Sequence, residues 1–288
     1  MKKSQELLSA LLAALPETRE FHARDGATYK LLNNVASECV AKLFGKNGPH
    51  RAFMESAGEV VFPYVSMGTI NSTHLFGLDE LIIFSFYARN RRNYSRVADI
   101  GGNIGLHSIV LAKLGYEVSC FEPDPMHLEL LARNLAVNNV THCVEVHSKA
   151  VSTQKGSLEF IRLLGNTTGS HLAGAKNAPY GELEKFSVLT VPVVDVMHDV
   201  DLVKIDVEGH ELELVKVTTA EDWKSTDAMI EVGSPENAEG VFRHLDQIGV
   251  NMFSQKTGWR HVTNLEQVPT SHREGSLFIT GRSEMNWS

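Results

Sequence analysis

The chain has little with which to cross-link itself and no segment long enough to cross a bilayer. Its three cysteines, Cys39, Cys120 and Cys143, are widely spaced and odd in number among 288 residues. That is neither a disulfide framework nor a zinc spacing. Cys120 sits in an apolar, strand-like run and reads as a small buried hydrophobe, so a reduced, cytoplasmic setting is expected. No apolar run approaches the roughly 20 residues that a membrane-spanning helix needs. Positive charge is also scarce: 27 Lys and Arg stand against 35 Asp and Glu, a formal net charge of −8. A nucleic-acid backbone demands a clustered basic surface and is therefore excluded as the main partner. The densest basic group, Arg89, Arg91, Arg92 and Arg96, reads as the solvated end of a helix. Internal repeats and low-complexity tracts are missing too.

What is present is an ordinary globular composition, 43% hydrophobic and 22% charged, in two rhythms. Residues 1–75 read as a helical cap region that becomes irregular toward its end, a candidate surface for homodimer formation. "MKKSQELLSALLAALPETREF" carries Leu7, Leu8, Leu11, Leu12 and Leu15 at helical spacing. With Glu6 interrupting it and no small-residue cleavage site behind it, the segment reads as an amphipathic packing helix rather than a signal peptide. Residues 76–288 read as one domain. After a helical stretch at Phe76 to Asn90, strands and helices alternate: "RVADI", "GLHSIVLAKLG", "EVSCFE", "DPMHLELLARNLAVNN", "CVEVHSKAV". An additional strand, "GSLEFIRL", is followed by "DLVKIDV", "HELELVKV", "DAMIEV" and the helix "NAEGVFRHLDQIG". "VNMFSQ", "GWRHVT" and "GSLFIT" close the chain as strands that suit an antiparallel edge. Alternation of this kind predicts an α/β fold with a doubly wound, Rossmann-like, mostly parallel sheet.

In such sheets ligands bind beyond the carboxyl ends of the strands, and "VADIGGNIGLHS" is a glycine-rich turn between a strand and a helix. A dinucleotide fingerprint starting at Gly101 would need glycines where Asn103 and Leu106 stand. The alternative is an acidic residue, an apolar residue, then Gly-x-Gly-x-Gly. It is met by Asp99, Ile100, Gly101, Gly102, Asn103, Ile104 and Gly105, with Asn at the middle position as the side chain that best tolerates positive φ. Such a turn suits S-adenosylmethionine, whose ammonium and sulfonium welcome a carboxylate where a pyrophosphate would not. The next strand ends in Glu122, placed to accept hydrogen bonds from two ribose hydroxyls, a role that a nicotinamide enzyme would use equally.

"DIGGNIG", "FEPDP" and "VKIDVEGHELELVK", in that order and spacing, resemble the FkbM-type methyltransferases over roughly residues 76 to 235. These are class I S-adenosylmethionine-dependent enzymes, many of which O-methylate sugars or secondary metabolites. The resemblance implies that Asp99, Gly101, Asn103 and Gly105 surround the methionyl part of the cofactor. It places Glu122 at the ribose with Pro123 and Asp124 beside it, Ser148 to Ala150 near the adenine, and Asp206 close to the transferring methyl. It names no acceptor; a small molecule or glycan hydroxyl is the expectation.

The stretch around Asp206 also carries Glu208, His210 and Glu211. Methyl transfer to a hydroxyl needs alignment and removal of one proton. His210 has the natural pKa for a base, while Asp206 and Glu208 serve either as base or as orienters of the acceptor. Glu211 reads as a first-turn carboxylate that satisfies the helix dipole. A hard cation would suit these oxygen ligands, but the spacing does not demand one and no metal site is assigned. His107, His142, His147 and His171 scatter without ligand spacing. The segment Leu164 to Gly181 is rich in Gly, Asn, Ser and Thr, and its Asn166, Thr168, Ser170 and His171 could meet a polyol. A nicotinamide-dependent oxidoreductase and a catalytically silent cofactor-fold module remain the two competing readings.

Overall fold

The computed structural model describes residues 2–54, 56–175 and 182–287. Helices α1 (Lys2–Ala14) and α2 (Ala27–Phe44) come first, followed by two small antiparallel pairs. These are β1 (Arg51–Met54) with β2 (Gly58–Val61), and β3 (Ser66–Met67) with β4 (Ile70–Asn71). Helix α3 (Leu78–Arg89) leads into the alternating region: β5 (Arg96–Ile100), α4 (Leu106–Lys113), β6 (Glu117–Phe121), α5 (Pro125–Val137) and β7 (Val144–His147). Next come β8 (Ala150–Ser152), β9 (Gly156–Leu163), β10 (His171–Leu172), β11 (Leu183–Pro192) and α6 (Val193–His198). The chain then runs through β12 (Leu202–Ile205), α7 (Glu211–Val215), β13 (Asp227–Glu231), α8 (Pro235–Gln247), β14 (Asn251–Ser254), β15 (Arg260–His261) and β16 (Ser276–Thr280).

The central sheet has eight strands in the order β15-β14-β16-β13-β12-β5-β6-β7. Strands β5, β6, β7, β12 and β13 are parallel, and β16 enters antiparallel against β13 with β14 and β15 beyond it. The two-residue period of the strands sorts their side chains between two cores. Val97, Val118, Leu202, Met229 and Phe278 point to the face covered by α1 to α5, whereas Ala98, Val203, Ala228 and Ile279 point to the face covered by α6 to α8. The leucines read as a packing stripe behave as one: Leu8 and Leu15 are fully buried and Leu11 nearly so, within the same cluster as the sheet face.

One expected strand is in fact two. "CVEVHSKAV" divides after His147: β7 stays in the central sheet, while β8 joins a second, four-stranded sheet of order β10-β9-β11-β8. The backbone reverses at Ser148 and Lys149, whose amide donates to the His147 carbonyl at 2.8 Å. Strands β9 and β11 form the long antiparallel pair of this second sheet, from Leu163 opposite Leu183 to Gly156 opposite Thr190. Of the polar segment Leu164 to Gly181, residues 176–181 lie outside the described residues.

The N-terminal region is locked to the far end of the chain through His22. Its Nδ1 accepts from the Trp259 indole at 2.9 Å, so Nε2 carries the proton that faces the Leu15 carbonyl at 3.1 Å. Burial pushes the imidazole pKa down from 6.5 to about 4, against the opposing pull of the Leu15 carbonyl. Below its unfolded value the unfolded chain binds a proton that the folded chain refuses, so this contribution is complete above about pH 6.5 and fades as pH falls toward about 4. The full loss is about 3 kcal/mol at 1.36 kcal/mol per unit. Urea titrations at neutral and mildly acidic pH should show that excess acid sensitivity in the wild type and not in His22→Gln; equal slopes would refute the assignment.

Candidate active site

The turn that follows β5 is built around an approach too close for any side chain. Gly101 has φ +80°, and a Cβ there would lie 1.9 Å from the Asp206 carbonyl oxygen at the end of β12. At Gly102 a Cβ would lie 2.2 Å from the Cys120 sulfur on β6. Asn103 takes φ +50° and Gly105 φ +91°, so the Asn in the middle position does adopt the left-handed conformation expected of it. The Gly101 and Gly102 amides both donate to the Phe121 carbonyl, at 2.9 and 3.1 Å, which ties the turn to the neighbouring strand.

Glu122 closes the turn from β6. It is 5% exposed, and its Oε2 accepts from the Asn103 amide and its Oε1 from the Asp124 amide, both at 2.8 Å. Each oxygen keeps a second lone pair for a ligand hydroxyl. His127, 4% exposed, stands with Nδ1 3.6 Å from Glu122 Oε1. Burial opposes its protonation, but the Glu122 contact outweighs burial and holds its pKa above the ordinary histidine value. Asp124 is fully buried and caps α5 by accepting from the Met126 amide at 2.8 Å. Arg162 on β9 grips the same carboxylate with two bonds of 2.7 and 2.6 Å, reaches Glu184 at 2.5 Å and lies over the Phe186 ring. Burial alone would raise the Asp124 pKa; the Arg162 bonds outweigh it and hold the carboxyl below its usual range. The second sheet is thereby fastened beside the turn.

Between the two sheets lies a narrow crevice that encloses about 60 Å³ and opens outward to solvent. Gly101, Asn103, Glu122 and Pro123 line one wall and Asp206 with Glu208 another, with Ala150, Phe160 and Leu172 supplying apolar surface. Thr168, Ser170 and His171 from the polar segment also line it, whereas Asn166 does not. The segment is steadied from the cap region, where Gly68 bridges Asn166 and the Thr69 amide donates to the Gly165 carbonyl at 2.8 Å.

The remaining sequence candidates fall elsewhere. Asp99 is fully buried beneath the turn, where its Oδ2 accepts from Ser108 Oγ at 2.6 Å, and it does not line the crevice. Gly105 is the buried cap of α4, packed against Leu131. Ser148 is exposed at the reversal between β7 and β8 and is also off the crevice wall. His210 packs toward β8, with Nε2 3.1 Å from Ser152 Oγ, and burial lowers its pKa. Of the proposed bases, that placement leaves Asp206 and Glu208 on the crevice wall. Glu208 holds φ +54° and Gly209 φ +109°, a reversal closed by Glu211, which is 1% exposed and accepts from the Gly209 amide at 2.7 Å and from Asn237 at 2.7 Å. Glu211 is therefore a structural carboxylate, and burial raises its pKa. Strain of ~1–3 kcal/mol at a left-handed non-glycine residue is commonly found at functional positions.

Sequence reasoning missed Lys204, Glu231, His127 and Arg162. The first lies within "VKIDVEG", yet a lysine inside a strand reads as a solvated edge residue until its neighbours are known. Among the described residues, no group of three or more His, Cys, Asp or Glu side chains is arranged to hold a metal, and no helix is long and apolar enough to cross a membrane.

Two glycine substitutions separate conformational strain from collision. Gly115 has φ +94°, and a Cβ there would meet nothing within 4 Å, so Gly115→Ala carries only the left-handed penalty of roughly 1–2 kcal/mol. Gly101→Ala adds the clash with the Asp206 carbonyl and should cost at least about twice as much in chemical denaturation. Equal costs would show that the two strand ends can part freely.

Residues 99–258, more than half of the chain, match the Methyltransferase FkbM domain. Methyltransferase sdnD from Sordaria araneosa is 29% identical over 198 residues, covering 57% of this chain and 76% of that protein. Among solved structures, methyltransferase FkbM from Methylobacillus flagellatus KT is 12% identical with a TM-score of 0.41. The match covers 87% of this chain but 60% of that one, so this chain spans less than two thirds of that relative's length. An O-methyltransferase from Bacillus cereus in complex with SAH is 12% identical with a TM-score of 0.36, over 68% of this chain and 78% of that one. The glycine turn, the strand-end carboxylates and the extent of the domain match lead to one assignment: the chain belongs to the FkbM family of methyltransferases.

Proposed function

We propose that the protein transfers a methyl group from S-adenosylmethionine to a hydroxyl oxygen of a small molecule, a sugar or glycan, or a secondary metabolite. The observation that carries this reading is the charge of the crevice wall. Glu122, Asp206 and Glu208 line it, and among the described lining residues there is no Lys or Arg. A dinucleotide would bring a pyrophosphate to that wall with only the imidazoles of His127 and His171 to meet it, and His127 already faces Glu122, whereas a cationic donor finds three carboxylates. S-Adenosylmethionine, when bound, supplies a methyl group made electrophilic by its sulfonium.

The chain's own residues supply the rest. Glu122 would take the ribose hydroxyls on the lone pairs that its two backbone amides leave free. Phe160 and Leu172 offer apolar surface to a purine. Gly101 and Asn103 hold the turn back from the crevice, so that the methionyl end can pass close to the backbone. Asp206 or Glu208 would accept the proton as the acceptor's O–H bond breaks and its oxygen bonds to the methyl carbon, the C–S electron pair staying on the departing thioether sulfur; the base would contribute about 10²–10⁴-fold. The crevice walls hold donor and acceptor in line, where orientation supplies roughly 7–11 kcal/mol.

Thermal unfolding in S-adenosylhomocysteine at about 100 times its Kd should show about 2.7 kcal/mol of stabilisation, and NAD should give none. The reverse pattern would overturn the reading. Glu122→Ala should weaken S-adenosylhomocysteine binding by about 10- to 100-fold, the worth of a charge-assisted hydrogen bond. Asp206→Asn should reduce methylation, followed by mass spectrometry across candidate glycans and polyols, by about 10²-fold or more with affinity for the neutral S-adenosylhomocysteine nearly kept. Full activity in that variant would remove Asp206 from the chemistry.

A further inference from the structure

On the face of the central sheet covered by α3 and α4, acidic side chains from four elements surround one cation. Lys204 stands opposite Asp99 in the register of β12 with β5, and opposite Met229 in that of β12 with β13. The period of two puts Asp206 and Glu231 on the same face, one step further toward the carboxyl ends. Lys204 Nζ lies 3.4 Å from Asp206 Oδ2 and 3.9 Å from Asp99 Oδ1, and its side chain is 9% exposed. From α3, Glu80 contributes a further carboxylate, bonded to His107 of α4 at 2.7 Å. Glu208 and Glu211 follow on the turn beyond Asp206. No other Lys or Arg among the described residues forms an ion pair with Asp99 or Asp206.

Burial would strip the ammonium of its proton, but the carboxylates of Asp206, Asp99, Glu80 and Glu231 outweigh burial and hold Lys204 above the ordinary lysine range. It is therefore a fixed cation and no base. Burial, followed by the charges of Asp206, Glu80 and Glu208, pushes Glu231 well above the usual carboxylate range.

We propose that Lys204 is a positioning residue that sets the net charge of the transfer site: its ammonium offsets Asp99 and Asp206, and so limits how much more tightly the crevice holds a cationic sulfonium than the neutral thioether left after transfer. The proposal rests on the S-adenosylmethionine reading given above. Its chemical sense is that tight binding of the donor before reaction lowers no barrier, because only interactions that strengthen in the transition state do so. Two carboxylates left uncompensated near a sulfonium would hold the ground state too well; one interior cation corrects this while holding Asp206 oriented on the crevice wall.

The test needs no acceptor. Calorimetric Kd values for S-adenosylmethionine and S-adenosylhomocysteine are compared in wild type, Lys204→Met, Lys204→Gln and Lys204→Arg, with folding checked by circular dichroism. At about pH 8 the neutral variants should favour the sulfonium over the thioether about tenfold more than wild type does, an effect the size expected of one nearby charge. Lys204→Arg, which keeps the positive charge, should retain the wild-type ratio. A folded neutral variant with the wild-type ratio would overturn the proposal. So would an Arg variant that behaves like the neutral ones, or the failure of both neutral variants to fold, which would mark the role as structural alone. Wild type that binds neither ligand would instead sink the methyl-donor reading itself.

Discussion

Two strand ends that touch through bare backbone make this site. At Gly101 the chain leaves β5 so close to the Asp206 carbonyl of β12 that the space of a methyl group does not exist. Because the turn cannot lift, its amides fall on the Phe121 carbonyl, the Asn103 amide falls on Glu122, and Asp206 is carried to the crevice wall. The carboxylates of three sequence regions are thus set around one opening by close packing of main chain. A flexible loop with the same residues would present them too diffusely to orient a reacting pair.

Around that fixed contact, two interior cations hold the charge in place. Arg162 fastens the second sheet to Asp124 while also pairing with Glu184 on its own sheet, and Lys204 sits among the carboxylates of the central sheet. Neither is good evidence for stability, since desolvating an ion pair offsets much of what its attraction contributes. What they fix is geometry and charge state. Arg162 determines where the roof of the crevice sits relative to Glu122, and Lys204 allows carboxylates to stand close together beneath it.

The site is also coupled to the N-terminal residues, though only locally. The Gly68 bridge to Asn166 steadies the polar segment whose Thr168, Ser170 and His171 face the crevice. At the opposite end His22 ties the same region to Trp259 and, by ring contact, to Trp287. The first 75 residues therefore buttress the methyltransferase sheet on one face and touch the crevice indirectly.

Much of this was legible in one dimension because its causes are local. The alternation of apolar runs determined the parallel sheet, positive-φ positions demanded Gly101, Asn103 and Gly105, and an acidic residue at the end of the second sheet strand marked Glu122. Other features depend on which side chains meet across long separations, and only tertiary structure decided them. "CVEVHSKAV" carries no sign that its halves belong to different sheets, because the reversal at Ser148 is set by where β11 offers a partner to β8. Asp99 moved from the crevice to a buried support, and His210 toward Ser152, because strand register and helix packing, which no local pattern encodes, choose the direction of each side chain. Lys204 became interpretable only once β5 and β13 had placed acids on either side of it: residue type and spacing give a group's chemistry, but its charge environment exists only in three dimensions.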